Sequence, residues 1–212
     1  MNRNLYFHLN LIVNSCYLSI VLTELTVESI SSEEQNMKAT QLLRQYRYGI
    51  LDFNGANLHS AHLEGADLTR INLTKADLSD TDLNDVDFSG ACLQQANLTN
   101  ASLINASLVG ANLSEVNLIG ADLENADLRS VDLSGADLRC ANLQGANLAN
   151  ANITDVDLGG ADLSGANLTE AKMAGTDISV ADTENAVLDK IDLGEGERKQ
   201  ENTSHNWVSW SG

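Results

Sequence analysis

The chain has 212 residues, a formal net charge of −18 at neutral pH, no proline and few aromatic residues. So acidic a chain repels phosphates, and direct nucleic-acid binding is therefore not expected. Acidic chains with few aromatics are often disordered, but apolar residues make up 43% of this one. From residue 51 onward they recur with strict regularity, which indicates a packed core.

Residues 1–30 form an apolar segment that leaves three interpretations open. One histidine and two asparagines interrupt its run LYFHLNLIVNSCYLSIVL, and we expect no stable membrane span because such a span tolerates few polar groups. A secretory signal is one interpretation, since Arg3 precedes the apolar run and Ser29 and Ser31 follow it. In the second, translation starts at Met37; in the third, the segment is an extension that packs on the element after it.

Residues 31–49 carry the signals of a helix, predicted over residues 32–48. Ser32 and Gln35 have the spacing of a capping box at the start, and Gly49 is a typical helix end. Four apolar residues recur at helical spacing and predict one buried face: Ala39, Leu42, Leu43 and Tyr46. Arg44 and Arg47 are then expected to face solvent or acidic neighbours.

From residue 51 the sequence repeats every five residues, as in GADLSGANLTEAKMAG at 160–175. The first place of each pentad is mostly Ala and the third place is mostly Leu, from Leu51 and Phe53 to Ile191 and Leu193. The second place is mostly Asn or Asp, and the fifth is often Gly. The frame holds without an insertion over about 29 pentads, which is the signature of a repeat fold.

A period of five fits neither a helix nor a continuous strand. Positions five apart on a helix differ by about 140° and leave any one face. Along a strand the faces alternate, so every second Leu would point outward. A chain that turns once per pentad satisfies the pattern: Ala and Leu point inward from a short extended piece, Asn or Asp points outward, and Gly suits the turn.

The pattern Ala-(Asp/Asn)-Leu-x-x resembles the pentapeptide-repeat family. The resemblance implies an all-β solenoid, a right-handed quadrilateral β-helix with four pentads in each coil. Over residues 50–195 this amounts to about seven coils, with the N-terminal α-helix capping the open apolar edge of the first coil. Three departures lie near the end: Thr183 in a third place, and Lys172 and Val187 in second places.

The tail, residues 196–212, is polar and is expected to be flexible. Trp207 and Trp210 are its large apolar groups, and they would contact the last coil or a second copy if they are ordered. Three widely spaced cysteines, at 16, 92 and 140, match no metal pattern and are predicted to be reduced thiols. We expect a monomer or an end-to-end dimer.

The sequence predicts no catalytic, cofactor or metal site. A rod filled with Leu and Ala has no interior cavity, whereas enzyme sites need a concavity with convergent polar groups. His59 and His62 lie three residues apart, but no third ligand accompanies them, so we interpret them as surface histidines.

The outer surface is the remaining candidate for function. Assigning every fourth pentad to one face gives a face without Lys or Arg whose acidic residues are Glu64, Asp82, Asp85, Asp122, Glu124, Asp162, Asp182 and Glu184. The opposite edge of the same coils is predicted to mix signs, with Arg70, Arg129 and Lys190. A one-sided acidic stripe attracts a basic partner, although it also arises as a by-product of Asn and Asp in the second place.

Three outward aliphatic residues in neighbouring coils, Ile104, Val109 and Ile119, predict either the centre of a contact or ordinary exposed side chains.

We therefore expect a non-enzymatic scaffold or interaction module with an acidic surface and a protein partner that the sequence does not identify. The alternative is narrower: some pentapeptide-repeat proteins imitate DNA and occupy the basic groove of DNA gyrase or related topoisomerases. A cytoplasmic location is expected, or export if residues 1–31 are a signal peptide.

Overall fold

A computed structural model describes residues 39–194, which belong to one compact unit. The predictions for residues 1–38 and for the tail lie outside the described residues. One α-helix, α1, spans Ala39–Arg47, and one 3₁₀ turn spans Ile178–Val180. Between residues 51 and 194 the remaining chain consists of short extended pieces joined by turns, and one residue of each piece takes part in β-bridges, except in the piece that contains Asp177.

Helix α1 packs against the core through its predicted apolar face. The Leu42 side chain is fully buried, and Ala39, Leu43 and Tyr46 are partly buried against the core. The Tyr46 hydroxyl donates a hydrogen bond of 3.0 Å to the carbonyl oxygen of Thr69. The helix therefore covers the start of the repeat region with apolar groups inward, while Arg44 and Arg47 are exposed.

The end of α1 is set by Gly49, which has a φ of +82°. The Gly49 N–H donates to the Tyr46 carbonyl at 2.8 Å, and the Ile50 N–H donates to the Gln45 carbonyl at 3.2 Å. This pair of bonds is the Schellman arrangement, in which a left-handed residue satisfies the last carbonyls of a helix.

Each pentad ends in a tight turn. The N–H of a first-place residue donates to the carbonyl of the preceding third place, as in Ala61 to Leu58 at 2.9 Å. Within residues 51–190 the fifth-place residue of a regular pentad has a positive φ, for example +55° at Ser60 and +68° at Gly55, whereas the fourth-place residue does not. This is a type II turn, which requires a left-handed residue at its third position.

Four pentads complete one coil, because the β-bridges join residues 20 apart: Asp52 pairs with Asn72, which pairs with Cys92, and so on to Asp192. The pairing is parallel throughout. We number the faces by their pentads: face 1 begins at 51, 71 and every twentieth residue thereafter, face 2 at 56, face 3 at 61 and face 4 at 66.

Leu and Ala fill the interior of the coils. Leu98, Leu118 and Leu138 have at most 1% of their surface exposed, and first-place residues such as Ala96 are equally buried. Each buried Leu contributes about 2 kcal/mol from the removal of apolar surface from water. The larger first-place residue Ile71 is also fully buried, so the interior accepts some variation in volume.

Asn and Asp in the second place stabilise the turn that follows. Their Oδ1 atom accepts the N–H two residues later, as in His59 to Asn57 at 3.1 Å. An Asn amide also donates to the residue one coil earlier, as from Asn142 Nδ2 to Asp122 Oδ1 at 2.9 Å. These local bonds give a physical reason for the short polar residue in this place.

One pentad departs from this geometry. On face 2 the ladder runs from Asn57 to Asp157 and stops there, because Asp177 does not pair with Asp157. The other three faces continue past this coil. In this pentad the 3₁₀ turn Ile178–Val180 replaces the type II turn.

Candidate partner-binding face

The eight acidic residues predicted from the sequence all lie on face 3, which we call the acidic face. Its ladder joins His62, Asp82, Ser102, Asp122 and onward to Asp182. Every one of the eight is exposed or half-buried: Glu64, Asp82, Asp85, Asp122, Glu124, Asp162, Asp182 and Glu184. The structure therefore brings them together on one surface, with successive coils about 4.8 Å apart.

The acidic face contains no Lys or Arg in residues 61–185, and in this part of the described chain none of its carboxylates forms an ion pair. The neighbouring faces differ. On face 4, Arg129 Nη2 lies 2.6 Å from Asp127 Oδ2, and on face 2, Arg139 Nη2 lies 2.7 Å from Asp137 Oδ2. The negative charge of the acidic face is therefore not neutralised by its own side chains.

Neutral hydrogen-bond donors hold several carboxylates of the acidic face in place. The Ser164 hydroxyl, the Gln144 amide and the Ser164 N–H donate to Asp162 and hold the pKa of this carboxyl below its ordinary value. The Arg129 guanidinium lowers the pKa of Asp127 on face 4 in a comparable way, but with a positive charge. Asp162 thus remains ionised while keeping its full charge available to a partner.

The predicted opposite edge was wrong. Arg70, Arg129 and Lys190 lie on face 4, whose ladder runs through Asp67 and Asp87. Consecutive pentads occupy consecutive faces of a four-sided coil, so a pentad that directly follows the acidic face is adjacent to it. The opposite side is face 1, which carries Lys75 and Lys172 among its own acidic residues.

The three outward aliphatic residues do not form one patch. Ile104 lies on face 3, Val109 on face 4 and Ile119 on face 2, and each is half-buried. Their separation follows from the same rule of consecutive faces, and it supports the interpretation as ordinary surface side chains.

The two histidines lie on different faces. His59 is on face 2, with Nδ1 2.9 Å from the Ser79 hydroxyl and 3.7 Å from Asp80 Oδ2, and His62 is on the acidic face. Within residues 39–194, no group of three His, Cys, Asp or Glu side chains has the arrangement of a metal site. Cys92 and Cys140 are free thiols.

Sequence reasoning missed a groove on face 2, at the interrupted ladder. Its volume is about 390 Å³, and it is lined by Asp155, Val156, Asp157, Leu158, Gly175, Asp177 and Val180. The signal was present in the sequence: Val180 is a β-branched residue in a fifth place, where a positive φ is needed, and such residues are strongly disfavoured there.

Residues 52–182 match the family model for pentapeptide repeats, through overlapping segments that begin at 52–90 and end at 146–182. The chain belongs to the pentapeptide repeat family. Members of this family form right-handed quadrilateral β-helices and generally act as structural or interaction modules rather than as enzymes. No curated protein is significantly similar to the chain.

Solved structures of the family include two cyanobacterial proteins. HetL from Nostoc sp. strain PCC 7120, a pentapeptide repeat protein involved in heterocyst differentiation regulation, is 26% identical, over 74% of this chain and 95% of its own, with a TM-score of 0.37. Rfr23 from Cyanothece 51142 is also 26% identical, over 68% of this chain and 97% of its own, with a TM-score of 0.43.

A plant member of the family is more similar over a shorter stretch. A pentapeptide repeat protein from the Arabidopsis thaliana thylakoid lumen is 34% identical, over 49% of this chain and 79% of its own, with a TM-score of 0.45. Among the described residues, no helix has both the length and the apolar character that crossing a membrane requires.

Proposed function

We propose that this protein is a non-enzymatic interaction module, a rod of about seven coils capped by α1, whose acidic face binds a basic protein partner. One observation supports this proposal above the others. The acidic face presents eight carboxylates without an intervening cation, whereas Arg or Lys side chains pair with carboxylates on faces 2 and 4.

A regular row of unpaired carboxylates attracts a basic surface over distances of several ångströms. At physiological ionic strength the attraction acts within a Debye length of about 8 Å, which spans between one and two coil steps. Several carboxylates on successive coils therefore act on the same partner. Such complementarity mainly raises the association rate and selects the partner.

The test is a pull-down that compares three forms of the full chain. The face variant combines Asp122→Asn, Glu124→Gln and Asp162→Asn, changes that remove the charge and keep the side-chain shape and an oxygen that accepts the N–H two residues later. The matched control removes the same charge from face 1, through Asp52→Asn, Glu115→Gln and Asp132→Asn. We expect a basic protein that binds the wild type and the control, is lost with the face variant, and dissociates as salt rises.

Equal capture by all three forms would contradict the proposal, because it would show that net charge alone, or another surface, recovers the protein. Capture of no specific protein by the wild type under any growth condition would also contradict it.

A narrower version assigns the acidic face to a basic groove that normally holds DNA, as in DNA gyrase. The uniform negative charge of the face favours this version. It predicts that the wild type changes gyrase supercoiling at micromolar concentration and that the face variant does not. A supercoiling assay without any effect of the wild type eliminates this version and leaves the general proposal standing.

A further inference from the structure

The groove on face 2 is a gap in the parallel ladder. In regular coils the third-place N–H donates to the second-place carbonyl one coil later, as in Leu138 to Asp157 at 2.9 Å. The corresponding bond from the Leu158 N–H to Asp177 is missing, as is the bond from the Asp177 N–H to the Val156 carbonyl. The Gly160 N–H, in turn, donates to the Val180 carbonyl at 3.0 Å rather than to that of the fourth-place residue.

Within the described coils, the gap leaves without partners the two backbone groups that a parallel strand uses for pairing. In a parallel bridge one incoming residue donates its N–H to one carbonyl and accepts from the N–H two residues further along. Val156 supplies this carbonyl and Leu158 supplies this N–H, and both residues line the groove. Among residues 39–194 neither group has a hydrogen-bond partner.

The groove is lined by apolar side chains and by three carboxylates, which we call the rim carboxylates. Val180 is 48% exposed and forms an apolar wall. Asp155, Asp157 and Asp177 are exposed carboxylates that also line the groove. Among residues 39–194, one cation forms an ion pair with them: Arg139 Nε is 3.7 Å from Asp157 Oδ2, while its closer partner is Asp137.

We propose that this groove binds an extended basic peptide segment of a partner protein by strand addition. Its backbone pairs with the Val156 carbonyl and the Leu158 N–H, and its Lys or Arg side chains lie against the three rim carboxylates, which outnumber the one arginine that pairs with them in the described part of the chain. Backbone hydrogen bonds supply affinity and the alternate side chains supply specificity in this mode of recognition. The site lies on face 2 and is separate from the acidic face.

The probe is a fluorescein-labelled peptide, acetyl-VKVKV-amide, titrated with the full chain and followed by fluorescence anisotropy. Two further peptides serve as controls: acetyl-VEVEV-amide reverses the charge, and VKVKV N-methylated at its central valine removes a backbone donor. We expect saturable binding of the first peptide only. Hydrogen exchange of the Leu158 amide is expected to slow when that peptide is bound.

The variant Val180→Gly is expected to close the gap, since glycine adopts the left-handed conformation of a fifth place. A triple variant, Thr176→Ala, Ile178→Leu and Val180→Gly, gives this pentad the sequence ADLSG found at residues 161–165. Both are expected to weaken peptide binding by at least about tenfold while remaining folded. The matched control Val187→Asn changes another exposed valine, on face 4, and is expected to bind like the wild type.

Three results would overturn this inference: no saturable binding by the wild type up to millimolar protein, equal binding by wild type and Val180→Gly, or binding without slower exchange at Leu158. The second and third would indicate attraction to the acidic surface in general. The face variant Asp122→Asn, Glu124→Gln and Asp162→Asn is expected to keep its affinity for the peptide. The proposal for the groove and the proposal for the acidic face can therefore be refuted independently.

Discussion

Pentads 81–85 and 176–180 begin with the same two residues, a buried threonine and an aspartate, yet they end in different turns. In the first pentad the Thr81 hydroxyl donates to the Leu58 carbonyl at 3.1 Å. The Ala61 N–H still donates to the same carbonyl at 2.9 Å. The threonine is therefore added to an intact type II turn one coil below.

In the second pentad the threonine stands inside the turn below it. The Thr176 hydroxyl donates to the Ile153 carbonyl and accepts the Val156 N–H at 2.9 Å. The direct bond that would close this turn, from Val156 to Ile153, is absent. The hydroxyl thus replaces a backbone bond instead of adding to it.

The comparison indicates that the fifth residue of the pentad, and not the threonine, determines whether the chain forms a type II turn or a 3₁₀ turn. Asp85 has a φ of +56°, and aspartate tolerates the left-handed region because its short side chain bonds locally. Within residues 51–190 every fifth-place residue has a positive φ except Val180. A β-branched side chain is sterically excluded there, so the chain takes a 3₁₀ turn and the ladder opens.

The largest expected effect comes from placing a valine in the fifth place of the regular pentad 81–85. Asp85→Val is expected to lower the free energy of unfolding by about 2 to 3 kcal/mol, through the left-handed strain or, if the corner changes, through two lost ladder bonds. Urea denaturation measures it. The control Asp85→Asn is expected to change stability by less than about 0.5 kcal/mol, and equal losses for the two variants would contradict the role of the β-branch.

The reverse substitution, Val180→Gly, is expected to raise the free energy of unfolding by about 1 kcal/mol. Two ladder bonds are regained at about 1 kcal/mol each, offset in part by the conformational entropy of glycine. Exchange of the Leu158 amide is expected to slow. Val187→Gly makes the same chemical change in the second place of a pentad, where it is expected to lower the free energy of unfolding. If both variants changed this free energy in the same direction, the explanation by the φ of the fifth place would be refuted.

Much of the fold was predictable because each pentad is determined locally. The burial of Leu98 or Leu118 follows from an apolar residue in the third place and a turn after it. The four-sided coil came from the family resemblance, since a period of five shows only that the chain turns. The mistaken position of Arg70 has a different origin: Arg70 lies in the pentad that directly follows the acidic face, and consecutive pentads of a four-sided coil lie on adjacent faces, not on opposite ones.

The interrupted ladder was not predicted, although its cause is visible in the sequence. The departures in the second and third places leave the ladder intact: Lys172 and Val187 still form bridges, and the Thr183 carbonyl still accepts the Ala186 N–H at 3.0 Å. Outward and core places tolerate several side chains. The fifth place does not tolerate Val180, because its requirement is on the backbone.

Removing the hydroxyl of each threonine is expected to destabilise the protein by different amounts at the two positions. Thr176→Val deprives both the Ile153 carbonyl and the Val156 N–H of their partner, and is expected to cost about 2 kcal/mol. Thr81→Val leaves the Leu58 carbonyl bonded to Ala61, and is expected to cost about 1 kcal/mol. Thermal unfolding of both variants measures the difference. A larger loss of stability for Thr81→Val would contradict the inference that the Thr176 hydroxyl replaces a backbone bond.

The smallest expected effect concerns pH and the 3₁₀ turn. The Ser179 hydroxyl and N–H donate to Asp177 Oδ1 and hold the pKa of this carboxyl below its ordinary value. A folded pKa below the unfolded one stabilises the protein above the unfolded pKa, and this contribution is lost as pH falls through the folded pKa.

Because Asp177 is exposed, this contribution is small, and NMR titration of the carboxyl resolves it better than a stability measurement. Ser179→Ala is expected to raise the Asp177 pKa toward its ordinary value, since the largest cause of the shift is the hydroxyl. Ser134→Ala on face 1 is the matched control. The Ser134 N–H donates to Asp132 at 3.1 Å, but this serine lies in a regular type II turn. If Ser179→Ala left the Asp177 titration unchanged, the hydroxyl would not be what holds the first residue of the 3₁₀ turn in its charged form.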